Sequence, residues 1–218
     1  MSNAFKVFDP LGLLSPFIIQ SKMLLQRLWK HKLDLDQPVS PEICNEWDRF
    51  HKGMLSLKNV EIPRLVLCNS PSKIEMHIVF SDASLNAYGA CIYMRSIDAQ
   101  GHVTCRLLTS KSKVAPLKPT TVPRLVLCAA LLAAKLSRST LQSLRYAPTR
   151  VVNWCDSSIV LAWIKSDFNK LKAFVSNRIA EIIEHSDKSS WRYVPTAANP
   201  ADLISRGVDA VQLLNTPL

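Results

Sequence analysis

Only five of the 218 residues are glycine, and no uninterrupted apolar run exceeds the stretch from Leu125 to Ala134. A bilayer-spanning helix needs about 20 apolar residues, so no membrane span and no membrane partner are expected. The start, MSNAFKVFDPLG, lacks the apolar core that follows the basic residues of a secretory leader. Cys44, Cys68, Cys91, Cys105, Cys128 and Cys155 form no C-x-x-C pair, which removes the usual spacing of zinc and redox sites. They fall mostly within apolar runs and are expected to be buried, reduced thiols. An intracellular protein, cytoplasmic or nuclear, is the expectation.

Negative charge is missing from the middle of the chain. No acidic residue lies between Asp98 and Asp156, where Arg106, Lys111, Lys113, Lys118, Arg124, Lys135, Arg138, Arg145 and Arg150 occur. Residues 1–60 carry eight basic and six acidic residues, so they supply only +2 of the net charge of +10. A solvated basic surface would account for this, but a phosphate-binding stripe accounts for its concentration. Lys111, Lys113, Lys118 and Arg124 are the candidate nucleic-acid contacts.

What is present is enough apolar residue, 48%, to bury a core. Residues 17–33 space Phe17, Ile18, Met23, Leu24, Leu28 and Leu33 as a helix. A second helix opens at Pro41, with Ile43, Trp47, Phe50, Met54 and Leu57 on one face. From about residue 62 the period becomes that of strands: 62–68, 73–82, 88–97 and 102–114, broken at Ser70-Pro71-Ser72 and at Asp98–Gly101. The last three of these form an antiparallel meander. A long helix follows Lys118-Pro119, capped by Thr120 or Thr121, with Pro123 in its first turn. Its expected buried stripe is Leu125, Cys128, Leu132 and Leu136; Val126, Ala129, Ala130 and Ala133 form an adjoining face small enough for close packing. A strand at 150–156, two helices, a last strand and a short helix complete the chain. The expected fold is α/β, with helices flanking the strands. Residues 1–60 form a helical segment ahead of it, 61–208 the main domain and 209–218 a tail.

Three acidic residues stand out within this pattern. Asp82 and Asp156 lie near the ends of β-branched runs, in HIVFSDAS and RVVNWCDSS, and Asp202 follows a Pro-containing turn in VPTAANPADL. Carboxylates converging from separate strand ends are a common way to hold divalent metals for phosphodiester hydrolysis. Each has a plainer role when taken alone: Asp82 as a strand-end turn residue, Asp156 and Asp202 as helix caps.

Order and setting together decide between these roles. The segments FSDAS…AYGACIY, CRLLTSKSKVAPLK, TVPRLVLCAALLAAKL, WCDSSIVLAWI, FVSNRIAEI and WRYVPTAANPADLISRG resemble the ribonuclease H region of Bel/Pao-type long-terminal-repeat retroelement Pol polyproteins. The leading FDPLGLLSPFIIQSKMLLQRLWK resembles the segment that ends the reverse transcriptase there, so 1–60 reads as a remnant of its C-terminal or connection region. The resemblance implies a ribonuclease H fold, an α/β mixed five-stranded sheet flanked by helices, with Mg2+ or Mn2+ as cofactor, and cleavage of RNA in RNA–DNA hybrids. It implies a hybrid or other duplex as partner, with the rest of a Pol polyprotein beside it. It maps Asp82, Asp156 and Asp202 onto three of four catalytic metal ligands. The fourth is a Glu in a PRLEL motif, which reads PRLVL here, so Val126 stands in its place. Metal binding is then expected to be weak or limited to one ion, and catalysis impaired. A non-catalytic nucleic-acid-binding module and a decayed element fragment are the alternatives.

Overall fold

The computed structural model describes residues 7–30 and 37–215. Five strands, β1 Pro71–Ala83, β2 Ala87–Asp98, β3 Val103–Val114, β4 Arg150–Cys155 and β5 Trp191–Tyr193, form one sheet in the order β3-β2-β1-β4-β5. The β1–β2 and β2–β3 pairs are antiparallel; β4 pairs parallel with β1 and β5 parallel with β4. The change to parallel pairing needs a crossover, and α3 (Val122–Ser143) supplies it between β3 and β4. This mixed five-stranded sheet is the one that the ribonuclease H resemblance implies; the order of apolar periods gave the meander, the crossover helix and the two later strands.

Helix α3 lies across β1 and β2 on the face it helps bury. Leu125, Leu132, Val126, Ala129, Ala130 and Ala133 are buried, whereas Cys128 and Leu136 are half-exposed. The face of small residues, not the full leucine–cysteine stripe, therefore sits closest to the sheet. Among the described residues α3 alone is long and apolar enough to cross a bilayer by composition, and half of that stretch is buried in the core. Helices α4 (Ser158–Lys165) and α5 (Ala173–His185) complete this layer with Val160, Ile164, Ile179 and Ile182.

The opposite face is covered by α1 (Ser15–Lys30) and the short α6 (Ala201–Arg206). The approach of α1 starts at Gly12, whose φ of +69° and whose imagined Cβ, 1.9 Å from the Ser110 carbonyl oxygen, admit only glycine. Leu11 accepts from the Ser110 amide and the Thr109 hydroxyl, tying this segment to β3. Phe17 of α1 stacks on Phe50 of α2 (Pro41–Ser56) with ring centroids 4.5 Å apart. Val208, with Ala210 and Leu213 of α7 (Ala210–Leu214), closes the same cluster. The helical start and the end of the chain thus share one small core.

Several local expectations change. Residues 62–68 are irregular, not a strand. Pro63 has no amide to donate, and the segment is held by isolated bonds, Cys68 N to Ser96 Oγ and Arg106 Nη1 to the Leu65 carbonyl. Pro71 and Ser72 are not part of a break but open β1, a position where a strand tolerates proline. All six cysteines are free, but only Cys91 and Cys155 are buried; Cys44 and Cys105 are exposed and Cys68 and Cys128 intermediate. The expected first helix ends within the described residues at Lys30; residues 31–33 lie outside them.

Gly89 marks the tightest contact between sheet and α6. A Cβ there would stand 2.3 Å from Ile204 Cγ2 and 3.0 Å from the Lys111 carbonyl oxygen. Gly89→Ala must lift α6 from the sheet, and it is expected to cost roughly 1 to 3 kcal/mol, as overpacking does. Urea unfolding measures this, and an unchanged midpoint would mean that α6 is not seated there.

Candidate active site at the strand ends

Parallel pairing places two of the three sequence-marked carboxylates side by side. Ser81 of β1 is in register with Cys155 of β4, so Asp82 and Asp156 follow each other on adjacent strands. Asp202 arrives from the opposite layer, in the first turn of α6. Its turn is pinned to β1 by Asn199, a buried residue whose Nδ2 donates to the Ser81 carbonyl at 3.1 Å. The Asn199 Oδ1 accepts from the Ala201 amide, fixing the start of α6. Asp82, Asp156, Asp202 and Val126 all line one open cavity of about 350 Å³.

The plainer roles do not describe these residues. Ser157, not Asp156, caps α4, accepting from the Val160 amide at 3.3 Å. Pro200 occupies the cap position of α6, with Asp202 inside the first turn. Asp82 is a paired strand residue opposite Gly89.

The local electrostatics are those of crowded negative charge. Asp82 is 5% exposed and accepts from Ser205 Oγ at 2.6 Å. Burial pushes its carboxyl above the ordinary range; the Asp156 and Asp202 charges push the same way, and the Ser205 bond opposes them. Asp202 Oδ1 accepts from Arg206 Nε at 2.6 Å. Arg206 also lines the cavity, and the Asp202, Asp82 and Asp156 charges all stabilise its guanidinium. Three carboxylates and one guanidinium leave the site formally at −2. Val126 is 4% exposed and offers only carbon. Among the described residues no three of His, Cys, Asp or Glu form a preassembled metal cluster.

A raised carboxyl pKa has a definite sign. The folded state prefers the neutral form of Asp82, so its contribution to stability falls as pH rises from the unfolded value through the folded one. Ionised Asp82 therefore costs stability at neutral pH. Asp82→Asn keeps an acceptor for Ser205 and removes the charge. It is expected to raise stability by roughly 1 kcal/mol at pH 7 without divalent ions, measured by thermal or urea unfolding. A less stable variant would show that the carboxylate is not under electrostatic stress.

The nine basic residues of the acid-free stretch do not form one stripe. Arg106 donates to Leu65, Lys135 pairs with Glu181, and Arg138 donates to the Glu184 carbonyl. Arg145 and Arg150 lie at the other end of α3 and β4 from the carboxylates. Lys111 and Lys113 are exposed near the end of β3, Lys118 in the following loop and Arg124 in the first turn of α3. These four lie towards the carboxylate end of their elements. Arg124 stands over the Phe174 ring at 5.0 Å, and Arg178 approaches the same ring at 3.5 Å. Arg178 and Phe174 lie in the FVSNRIAEI segment that carries the resemblance, but no contact was assigned to them because the charges of α5 look like an ordinary helix surface. Arg206 had a usable signal, its i,i+4 spacing from Asp202; Asn199 and Ser205 had none.

Comparison with known proteins places this geometry in context. The family described as Pao retrotransposon-like RNaseH-like domain matches residues 1–157, so the match includes α1 and α2 and ends before Asp202. No curated protein matches the chain. Among solved structures it is similar to the N-terminal RNase H domain of a Mycobacterium tuberculosis protein, solved as a maltose-binding-protein fusion. That likeness has 13% identity, covers 65% of this chain and 94% of that one, and has a TM-score of 0.43. It is also similar to LC11-RNase H1 in complex with an RNA/DNA hybrid, at 16% identity, 59% and 91% coverage and a TM-score of 0.40. RNase H1 of Halobacterium salinarum follows at 13% identity, 58% and 89% coverage and a TM-score of 0.36.

Proposed function

The chain belongs to the Pao retrotransposon-like RNaseH-like domain family, and on that premise we propose that it is a nuclease-type Pol domain whose inherited cleavage of RNA in RNA–DNA hybrids is impaired by Val126. The observation that carries this reading is the meeting of Asp82, Asp156, Asp202 and Val126 at one cavity. The match supports a domain that includes the helical start, and the sequence of that start supports an origin beside a reverse transcriptase in a longer Pol polyprotein. An intracellular location, cytoplasmic or nuclear, goes with that origin.

Divalent ions are the usual cofactors of ribonucleases H. Three carboxylate groups around a cavity at −2 fit one Mg2+ or Mn2+, with Asp82 and Asp156 as its first ligands and Asp202 available when Arg206 releases it. They do not fit a pair of ions, because Val126 supplies no oxygen at the fourth corner. When bound, such an ion would supply Lewis-acid polarisation of the scissile phosphate or of an attacking water, but not both halves of a two-metal displacement. Asp82 and Asp156 would hold it from rigid strand ends. Ser205 fixes the Asp82 rotamer, and Asn199 holds α6 against β1.

Lys111, Lys113, Lys118 and Arg124 bind the phosphates of the duplex, giving affinity with little sequence preference. The shape and 2′-hydroxyls of a hybrid supply the discrimination. If all four contact phosphates, the logarithm of the binding constant should fall with the logarithm of salt at a slope of about −3 to −4. Fluorescence anisotropy with a labelled hybrid measures this, and incubation with Mg2+ or Mn2+ tests cleavage on the same substrate. Slow or absent cleavage with steep salt dependence is expected. No binding at low salt would remove the nucleic-acid role.

A second reading, a binding module without catalysis, is favoured by the Val126 side chain itself and by the exposed basic residues near the cavity. Salt-dependent binding with no cleavage under either metal would select it. Binding failure together with an unstable chain would select a decayed fragment.

A further inference from the structure

We propose a second ligand site at the opposite end of the sheet, one that takes a small phosphorylated sugar, free or within a mononucleotide. A cavity of about 400 Å³ lies beside the first residues of β4, between the later part of α3 and the end of α5. Along β4, Arg150 stands six positions and Asn153 three positions before Asp156, about 20 Å and about 10 Å at the usual rise, and no residue lines both cavities. The two sites are therefore distinct.

The cavity is built around Asn153, which is 1% exposed. Its Nδ2 donates to Ser190 Oγ at 2.8 Å, while its Oδ1 has no hydrogen-bond partner among the described residues. A buried amide oxygen left unpaired is destabilising, and native structures rarely retain one without a use. Asn153 pairs with Val79, and His77 lies two residues earlier on the same face of β1. Both ring nitrogens of His77 are buried and unpartnered. Polar atoms with unmet bonds thus collect on one face at this end of the sheet.

The rim is positive. Arg150 is exposed, and no described residue pairs with its guanidinium. Arg192 spends one guanidinium nitrogen on the Ser189 and Trp191 carbonyls and keeps its other donors. The Asp187 carboxylate, which accepts from the Ser189 amide at 2.8 Å, also lines the cavity and keeps its charge, so two guanidinium groups stand against one carboxylate. Two guanidinium groups beside the hydroxyls of Ser137 and Ser190 offer more donors than a carboxylate accepts, and phosphate satisfies them better. Asn153 Oδ1 asks for a donor, which a sugar hydroxyl provides. Its depth behind the rim favours a small molecule over a polymer backbone, and the volume falls within the range of small-ligand pockets.

The test uses the full chain and ribose 5-phosphate, with thermal shift and calorimetry as readouts. Saturable binding is expected, at least tenfold weaker for ribose or inorganic phosphate alone. Adenosine 5′-monophosphate binding more tightly than ribose 5-phosphate would assign the mononucleotide as the source; the reverse order would assign the free sugar phosphate. Asn153→Leu should fold, with a raised Tm because it removes the unpaired amide, and should lose binding at least tenfold. Arg150→Ala should lose a similar factor with Tm unchanged. No saturable binding of either phosphate at 10 mM (roughly the limit of specific weak binding), or equal affinity in Asn153→Leu, would overturn the proposal. Binding equal to that of inorganic phosphate would overturn the role of Asn153. None of these results bears on hybrid cleavage, because the cavity lies away from the carboxylates.

Discussion

Val126→Glu is expected to raise hybrid cleavage by at least roughly 100-fold, since even outer-sphere changes at metal sites shift activity by factors of about 10 to 100. Val126 sits on α3 at the cavity that Asp82, Asp156 and Asp202 also line. Val126 borders the open cavity, so a longer side chain extends into it. A fourth carboxylate takes the formal charge from −2 to −3 and completes the oxygen set that a pair of divalent ions requires. Without metal, the same change is costly. Burying an unpaired carboxylate beside three others should destabilise the chain by about 3 kcal/mol. Mg2+ reverses this by mass action, returning about 2.7 kcal/mol at a hundredfold excess over Kd. The variant should therefore show a larger Mg2+-dependent rise in Tm than the native chain. Arg206 competes with the ion for Asp202 in both proteins, so the difference between them isolates position 126. Asp82→Asn in the Val126→Glu background should abolish the gained cleavage. If the glutamate changes neither cleavage nor Mg2+-dependent stability, position 126 does not face a metal. Full activity in the native chain would mean that three carboxylates suffice.

Strand ends were easier to read than the contacts that position them. The β-branched runs before Asp82 and Asp156 fixed their strands, and those strands could bring the two residues together only if paired in parallel. The structure shows that pairing, with the helix α3 between the two strands as the crossover it needs. Asp202 was marked by its turn, but the bonds that place it come from Asn199 and Ser205, polar residues with many ordinary uses in a loop. The basic stretch misled in the other direction. Sequence proximity grouped Lys135 and Arg138 with Lys111, whereas the helix turned them toward α5 and used them for bonds to Glu181 and Glu184. Residues 62–68 misled because alternation alone cannot tell whether a sheet edge is free to receive a strand. The two ends of the chain, read separately, meet through Phe17, Phe50 and Leu213, a pairing too distant in sequence for periodicity to report.

The second large effect expected is loss of stability in mild acid, with His77 as its source. An alternating run on β1 gives no reason to single this residue out, yet it is fully buried with both ring nitrogens unpartnered. Burial penalises the charged ring and lowers its pKa from 6.5 to about 4. The folded state therefore binds fewer protons than the unfolded chain in the interval between those values. Stability is complete above the unfolded pKa, falls as pH drops through about 6.5, and stops falling below about 4. The shift corresponds to about 3 kcal/mol in total, of which about 2 should be lost between pH 7 and pH 4.5. The lowered carboxyls of Asp98, Asp187 and Glu181 lose their contributions as pH falls below their ordinary values, mainly under pH 4.5. Asp82, whose raised carboxyl takes up a proton and gains stability as pH falls, acts in the opposite direction, so the difference between the native chain and a variant lacking the ring isolates His77. His77→Leu replaces a ring that makes no hydrogen bond with an apolar side chain of similar size. It should be at least as stable at pH 7 and should lose less than about 1 kcal/mol over the same interval. Urea unfolding of both proteins at half-unit steps from pH 7 to pH 4.5 measures the two slopes. Parallel curves would show that His77 is protonated without penalty in the folded chain, and that solvent or another group reaches its ring.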